Sequence, residues 1–298
     1  MRNRKMPQAR QIERPNGLQW ELSPQALERW TPDLMAADST DNTISVLDPI
    51  GMDPWTGEGV TAKRIAAALR SIGAGNDVVV NLNSPGGDLF EGMAIYNLLR
   101  DHKGSVTVKV LGVAASAASI VAMAGDEVLI ARAGFLMIHD TWVVAIGNRL
   151  DLREVADMLE PFDTAMADVY AARSGIEAKA IQKMMDAETW IGGSAAVEQG
   201  FADALLPADE VKKSANAKAD RVAAYLLDMA LAKAGMPRSE RRALLQEYKA
   251  GTPSAAGAGT QNATGNSTQN AAENGTQNAA VAKEVELMAA LRSFSIEH

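Results

Sequence analysis

Between residues 44 and 138 the chain alternates short apolar runs with segments of helical period, and this alternation limits its fold more than any other feature. Residues 44–47 (ISVL) read as a first strand, followed by a turn rich in Gly, Pro and Asp over residues 48–59. Residues 60–72 place apolar side chains at helical spacing. Residues 77–83 read as a short buried strand that ends in the loop punctuation Ser84-Pro85-Gly86-Gly87. The helical period resumes over 88–101, with Asp88 near the positive helix start. A β-branched strand is expected over 106–111, then a glycine-bearing loop, Gly112 to Ser116, and a small-residue helix over 117–124. Residues 127–130 and 135–138 are further strand candidates, and His139 follows at once. Strands alternating with helical crossovers predict an α/β fold around a parallel or mixed sheet.

Two helices are expected over 151–173 and 176–186, and a short one over 194–199 with Gly200 at its end. The composition shifts after about residue 206. This gives five expected regions: a basic arm over 1–42, a catalytic-type body over 43–206, a basic helical extension over 207–250, a flexible linker over 251–280, and a short amphipathic segment over 281–298. In the extension, residues 215–234 and 238–249 read as Ala-rich helices separated by Gly235-Met236-Pro237. The linker repeats Thr-Gln-Asn-Ala from Thr260, Thr268 and Thr276, a period too short for a solenoid and too polar to bury.

Charge follows the same division. The net −8 combines an acidic body, −14 over residues 31–210, with basic flanks of +3 over 1–30 and +5 over 211–250. An acidic body argues against nucleic acid as its partner; the flanks read as solvated, partly mobile segments. The basic opening stretch has no apolar core of its own, so no secretory signal is expected. No apolar run is long enough to predict a membrane span. The absence of cysteine excludes disulfides, thiolate metal sites and a Cys nucleophile, and fits a reducing compartment.

Chemistry has few places to live. Of the three histidines, His298 is terminal and His102 ends a polar helix, which leaves His139 as the candidate general base. Three histidines supply no convincing metal site, and none is expected. The two glycine-bearing segments, residues 83–87 and 112–116, stand at strand ends, where α/β folds form their crevices. A serine at a helix start meets backbone N–H donors, and glycines let a second backbone approach. These residue types suit acyl transfer by a serine, a histidine and a backbone oxyanion hole. Spacing alone serves equally well for tight turns that pack a βαβ core.

Four motifs in order decide between the two. Residues 83–87 (NSPGG), 112–116 (GVAAS), 136–139 (LMIH), and Glu188-Thr189-Trp190 with residues 195–203 (AAVEQGFAD) together resemble the ClpP-like serine peptidases over residues 43–206. The resemblance implies a ClpP/crotonase-type fold of repeated ββα units, with the helical and low-complexity C-terminal extension added. It implies Ser116 as nucleophile, His139 as general base, and the amides of Gly87 and Ala117 as oxyanion hole. Where the family usually has Asp, this chain has Glu188, one methylene longer; Asp186 is the rival acid. Ser119 is a weaker rival nucleophile. The family builds rings through a helical protrusion, which residues 151–186 would supply. A hydrolytic triad needs only water, so no cofactor is implied.

The arm, the extension and the tail look like the head maturation (prohead) proteases of tailed bacteriophages. That likeness implies a serine endopeptidase in assembling proheads of the host cytoplasm. Its substrates would be scaffold and capsid proteins and its own tail, with capsid or portal docking through 281–298. The alternatives are a housekeeping peptidase fed by an ATPase, a crotonase acting on acyl-CoA, a Ser-Lys peptidase using Lys109, and an inactive scaffold module.

Overall fold

The computed structural model describes residues 6–9, 19–20, 22–37, 40–52, 59–213 and 219–251. The chain divides into two units, Met1–Leu245 and Gln246–His298, and of the second only residues 246–251 are described. The expected linker, apart from Gly251, and the expected terminal segment lie outside the described residues.

In chain order, β1 (Gln19–Trp20), α1 (Pro24–Arg29) and β2 (Leu34–Ala36) come first. Next are β3 (Thr43–Val46), β4 (Gly51–Met52), β5 (Gly59–Val60), α2 (Ala62–Ile72), β6 (Val78–Ser84), α3 (Leu89–Asp101), β7 (Val106–Ala115) and α4 (Ala117–Met123). Then follow β8 (Glu127–Ala131), β9 (Phe135–Ile138), β10 (Val143–Val144), α5 (Arg149–Ser174), α6 (Ala178–Asp186), β11 (Thr189–Gly192), α7 (Gly193–Glu198), β12 (Ala204–Leu206) and β13 (Val211–Lys213). Two helices end the described chain, α8 (Ala219–Lys233) and α9 (Arg238–Gly251).

The central sheet has seven strands, in the order β11-β9-β7-β6-β3, with β8 joined to β7 and β12 to β8. Every pair is parallel except β11 with β9. This is the expected α/β architecture. β6 and the second half of β7 are buried almost throughout, because helices and neighbouring segments cover both faces of a parallel sheet. The helices start where the side chains allow. Thr61 caps α2, Asp88 caps α3, and Asn148 with Asp151 forms a capping box on α5. All seven residues of α4 are buried, and their small side chains let α3 come close: a Cβ added at Gly92 would lie 2.9 Å from Ala117 Cβ.

Two segments differ from the sequence reading. The expected loop at Gly112–Ser116 is strand up to Ala115. β7 uses its first half to pair with β8 and residues Val113–Ala115 to pair with Phe135–Met137 of β9. Gly112 leaves no room for a side chain, because Leu34 and Asn83 lie where a Cβ would point. The described residues of the expected arm are tied to the body. Ala26 and Leu27 of α1 are fully buried, β2 pairs with β13, and Asn97 brackets Ala9 through its amide and carbonyl. Leu22, Leu27 and Trp30 form one apolar face on and around a helix too short to show a period, and Ala26 packs in a separate cluster. Tyr225 and Met229 of α8 cover part of that face.

One buried cation joins helix to sheet. Arg173, 2% exposed near the end of α5, donates to the carbonyls of Phe201 (3.2 Å) and Gly125 (2.9 Å) and pairs with Asp203. Asp203 in turn accepts from the amide of Val128 in β8. Removing the guanidinium takes a donor from two carbonyls and from a carboxylate that keeps the Val128 amide, so Arg173→Met is expected to lower unfolding free energy by about 1–3 kcal/mol. Urea unfolding read by far-UV circular dichroism checks this; an unchanged midpoint would mean that the network contributes nothing.

Candidate active site

Ser116 stands at the corner where β7 turns into α4, with φ 54° and ψ −126°. A non-glycine residue there stores about 1–3 kcal/mol, so its surroundings must hold it. They do so from both sides. Its amide donates to Met137 O at 2.9 Å, and its carbonyl accepts from the amide of Ser119 at 2.9 Å and from Ser119 Oγ at 2.6 Å. The corner projects Ser116 Oγ to His139 Nε2, 2.7 Å away. Ser119, the rival nucleophile, is fully buried, and its hydroxyl also meets Tyr170 Oη at 2.7 Å. Lys109 forms an ion pair with Glu210, along β7 from the corner.

His139 follows β9 directly and is 7% exposed. Burial penalises the imidazolium and pulls its pKa down to about 4. The ring is therefore neutral at physiological pH, the state in which Nε2 can accept the serine proton.

The loop from Ser84 to Gly87 lies against the same corner. A Cβ on Gly86 (φ +94°) would fall 2.6 Å from Ala115 O and 2.7 Å from Ser116 Cβ. At Gly87 (φ +137°) it would collide with Ile50 O. Ile50 bonds to the residues on either side, donating to Gly86 O (2.6 Å) and accepting from the amide of Asp88 (2.9 Å). That leaves the Gly87 amide out of the ladder. The Ala117 amide opens α4, where the first turn of a helix offers N–H groups without intrahelical partners.

The acid side departs from a simple triad. The β11–β9 register ends at Thr189 opposite Ile138, so Glu188 is placed across the sheet edge from His139. Glu188 itself has φ 47°. Its Oε1 accepts from Ser23 Oγ at 3.3 Å, and its carboxylate makes no hydrogen bond to His139 among the described residues. Asp186, the rival, ends α6, is exposed, and is hydrogen-bonded to Asp140. Burial first, then the charges of Asp163 and Asp186 and that hydrogen bond, push Asp140 up to about 6. Asp163, which accepts from the amide of Thr141 at 2.6 Å, is also raised, chiefly by burial. The sequence gives no sign of this cluster, because helices α5 and α6 deliver two of its three members. Ser23 was equally hidden, lying 165 residues from its partner. Among the described residues no three or more His, Asp or Glu groups are placed to hold a metal ion.

The sequence model of the Clp protease family matches residues 57–209, just over half of the chain. The chain belongs to the Clp protease family. It is 29% identical to the ATP-dependent Clp protease proteolytic subunit 1 of Prochlorococcus marinus (strain MIT 9312), over 51% of this chain and 80% of that protein. It is 28% identical to the proteolytic subunit 1 of Chlamydia muridarum, over 50% and 83%. A third relative is the proteolytic subunit of Streptococcus uberis, 27% identical over 46% and 71%. The Clp protease match contains Gly87, Ser116, Ala117, His139 and Glu188, and it begins downstream of Ser23. Membership makes the chain a ClpP-type peptidase homologue. Among the described residues no helix is long and apolar enough to cross a membrane.

Two titrations check this electrostatic picture. The His139 ring protons, followed by NMR, are expected to titrate well below the ordinary 6.5, and a midpoint at 6.5 or above would contradict the burial argument. Since the unfolded chain takes up this proton first, His139 costs the fold stability as pH falls from about 6.5 towards 4. Asp140 has the opposite sign: its raised pKa means the fold loses stability as pH rises from about 4 through 6. Asp140→Asn is therefore expected to raise Tm relative to wild type at pH 7 to 8 and to leave it unchanged below pH 4. A uniform shift at all pH values would refute the charge-crowding account.

Proposed function

We propose that this chain is a serine endopeptidase with Ser116 as nucleophile and His139 as general base. The observation that carries the reading is the 2.7 Å contact between Ser116 Oγ and His139 Nε2 at a strained strand-to-helix corner. Nε2 takes the hydroxyl proton as Oγ bonds to the substrate carbonyl carbon. The oxyanion is received by the amides of Gly87 and Ala117. The C–N bond then breaks as His139 returns the proton to the leaving amine. Water, deprotonated by the same nitrogen, hydrolyses the acyl-enzyme. Glu188 is assigned as the acid that stabilises the imidazolium, which its place opposite His139 supports. Protein substrates and a ring of identical subunits fit the family, and exposed Ile146, Leu150 and Leu152 near the start of α5 support a contact between copies.

The finer reading is a prohead protease acting on scaffold and capsid proteins inside assembling heads in the host cytoplasm. It is supported by what surrounds the family core: a leader, two extension helices and a repetitive tail beyond residue 250. The tail would be a substrate, and residues 281–298 would dock on capsid or portal. The relatives, named ATP-dependent proteolytic subunits, favour a second reading in which an ATPase feeds the chamber.

Intact masses of wild type and Ser116→Ala after parallel incubation test the proposal. The expected outcome is that wild type alone loses tail or leader, and that a fluorophosphonate labels only wild type. Hydrolysis by Ser116→Ala should fall by about 10⁴-fold or more. Equal labelling of both proteins would sink the nucleophile assignment. Degradation of full-length casein only on adding an unfoldase with ATP would favour the second reading over the first.

A further inference from the structure

Helix α1 touches the site at both ends, although it lies outside the segment that matches the family. Its N-cap is Ser23, 3% exposed. A hydroxyl has one hydrogen and two lone pairs, so it can donate and accept at once. Ser23 Oγ accepts from the Ala26 amide at 3.4 Å and, because a carboxylate only accepts, donates to Glu188 Oε1 at 3.3 Å.

The helix that carries this hydroxyl is anchored through its buried residues and both ends, while Gln25, Glu28 and Arg29 are exposed. Ala26 is fully buried in a cluster with Val113 and Ala115 of β7 and Met137 of β9, the residues next to the Ser116 corner and just before His139. Beyond its C-terminal end, Trp30 Nε1 donates to Asn83 O at 3.0 Å, and Asn83 Nδ2 donates to Thr31 O at 2.8 Å. Asn83 Oδ1 accepts from the Val113 amide at 3.1 Å, so the residue that opens the glycine loop is locked to β7 and to the leader together. The Arg29 guanidinium lies 4.3 Å from the centre of the Trp190 ring, two residues beyond Glu188. Leu22, Leu27 and Trp30 close against α8.

We propose that Ser23 is a positioning residue of the peptidase site, holding the Glu188 carboxylate on the His139 side of the sheet edge, where it would stabilise the imidazolium that forms during the reaction. The proposal rests on the assignment of Glu188 as the triad acid. Glu has one more rotatable bond than Asp, and an unanchored Glu would lose orientation that a shorter acid keeps. A buried donor at the cap of an anchored helix supplies that anchor. The leader is then part of the active site rather than an appendage, and an acid one methylene longer than the family's usual choice comes with its own support.

The test uses the full-length protein and the second-order rate of labelling by a fluorophosphonate probe as a function of pH. Ser23→Gly keeps the cap position at little cost to the helix and removes the donor, whereas Ser23→Thr keeps both. Ser23→Gly is expected to label about 10-fold or more slowly, the scale of a lost hydrogen bond to a charged group. Its acid limb should move to lower pH, because a loosened carboxylate supports the imidazolium less. Ser23→Thr should stay within about 3-fold of wild type, and adding Ser23→Gly to Glu188→Gln should cost nothing further. Slower labelling by Glu188→Gln together with an unchanged rate and pH profile in Ser23→Gly would overturn the proposal. So would faster labelling in Ser23→Gly, which would make α1 an inhibitory contact. Wild-type labelling by Glu188→Gln would instead remove the acid assignment beneath it, and no labelling of wild type would remove the peptidase reading itself.

Discussion

The site depends on one backbone corner. Ser116 sits where a non-glycine residue costs energy, and the fold holds it there by spending several interactions on a single peptide unit. β9 takes its amide, and the first turn of α4 takes its carbonyl. The glycine loop can lie against it only because Gly86 has no side chain. The rest of the sheet explains how this is possible. β7 leaves β8 after Val110 and joins β9 at Val113, so its last three residues are clamped by a strand that ends at Ile138, just before His139. Nucleophile and base thus belong to neighbouring strand ends, and their 2.7 Å contact follows from strand register rather than from either loop.

Burial sets the charge states around that contact. His139 is kept neutral because water is excluded from it, whereas Asp140, the next residue, is pushed towards its protonated form by burial first and then by neighbouring carboxylates. Two neighbours are therefore shifted in opposite directions on the proton scale, which gives the site groups that titrate away from their ordinary values on one short segment. Buried ions elsewhere are compensated. Arg173 has two carbonyls and Asp203, and Arg241 in α9 has Asp228 at 3.0 Å.

The segments outside the family match have structural work of their own. α1 lies under the corner and reaches both Glu188 and Asn83, and α8 covers the outer face of α1. The family core, the leader and the first part of the extension share buried surface. A functional account confined to residues 57–209 would leave out the group bonded to Glu188.

Much of this was legible in the chain itself. Periodicity marked α2, α3, β6 and β8 to within a residue or two, because amphipathic and buried elements write their geometry into the spacing of apolar residues. The pairing of Ser116 with His139 could be expected from ordered motifs and from a histidine inventory of three. Three things were decided only by tertiary structure. Residues 113–115 are strand because β9 offers them a partner, which no local pattern encodes. α1 is too short for its period to show, and its burial depends on strands and a helix far along the chain. Glu188 is bonded to Ser23, and Asp140 crowds with Asp163 and Asp186, because non-local packing brings together carboxylates and hydroxyls whose separation in sequence carries no signal. Local spacing fixes what a segment buries; which polar groups then meet depends on where the buried faces come together.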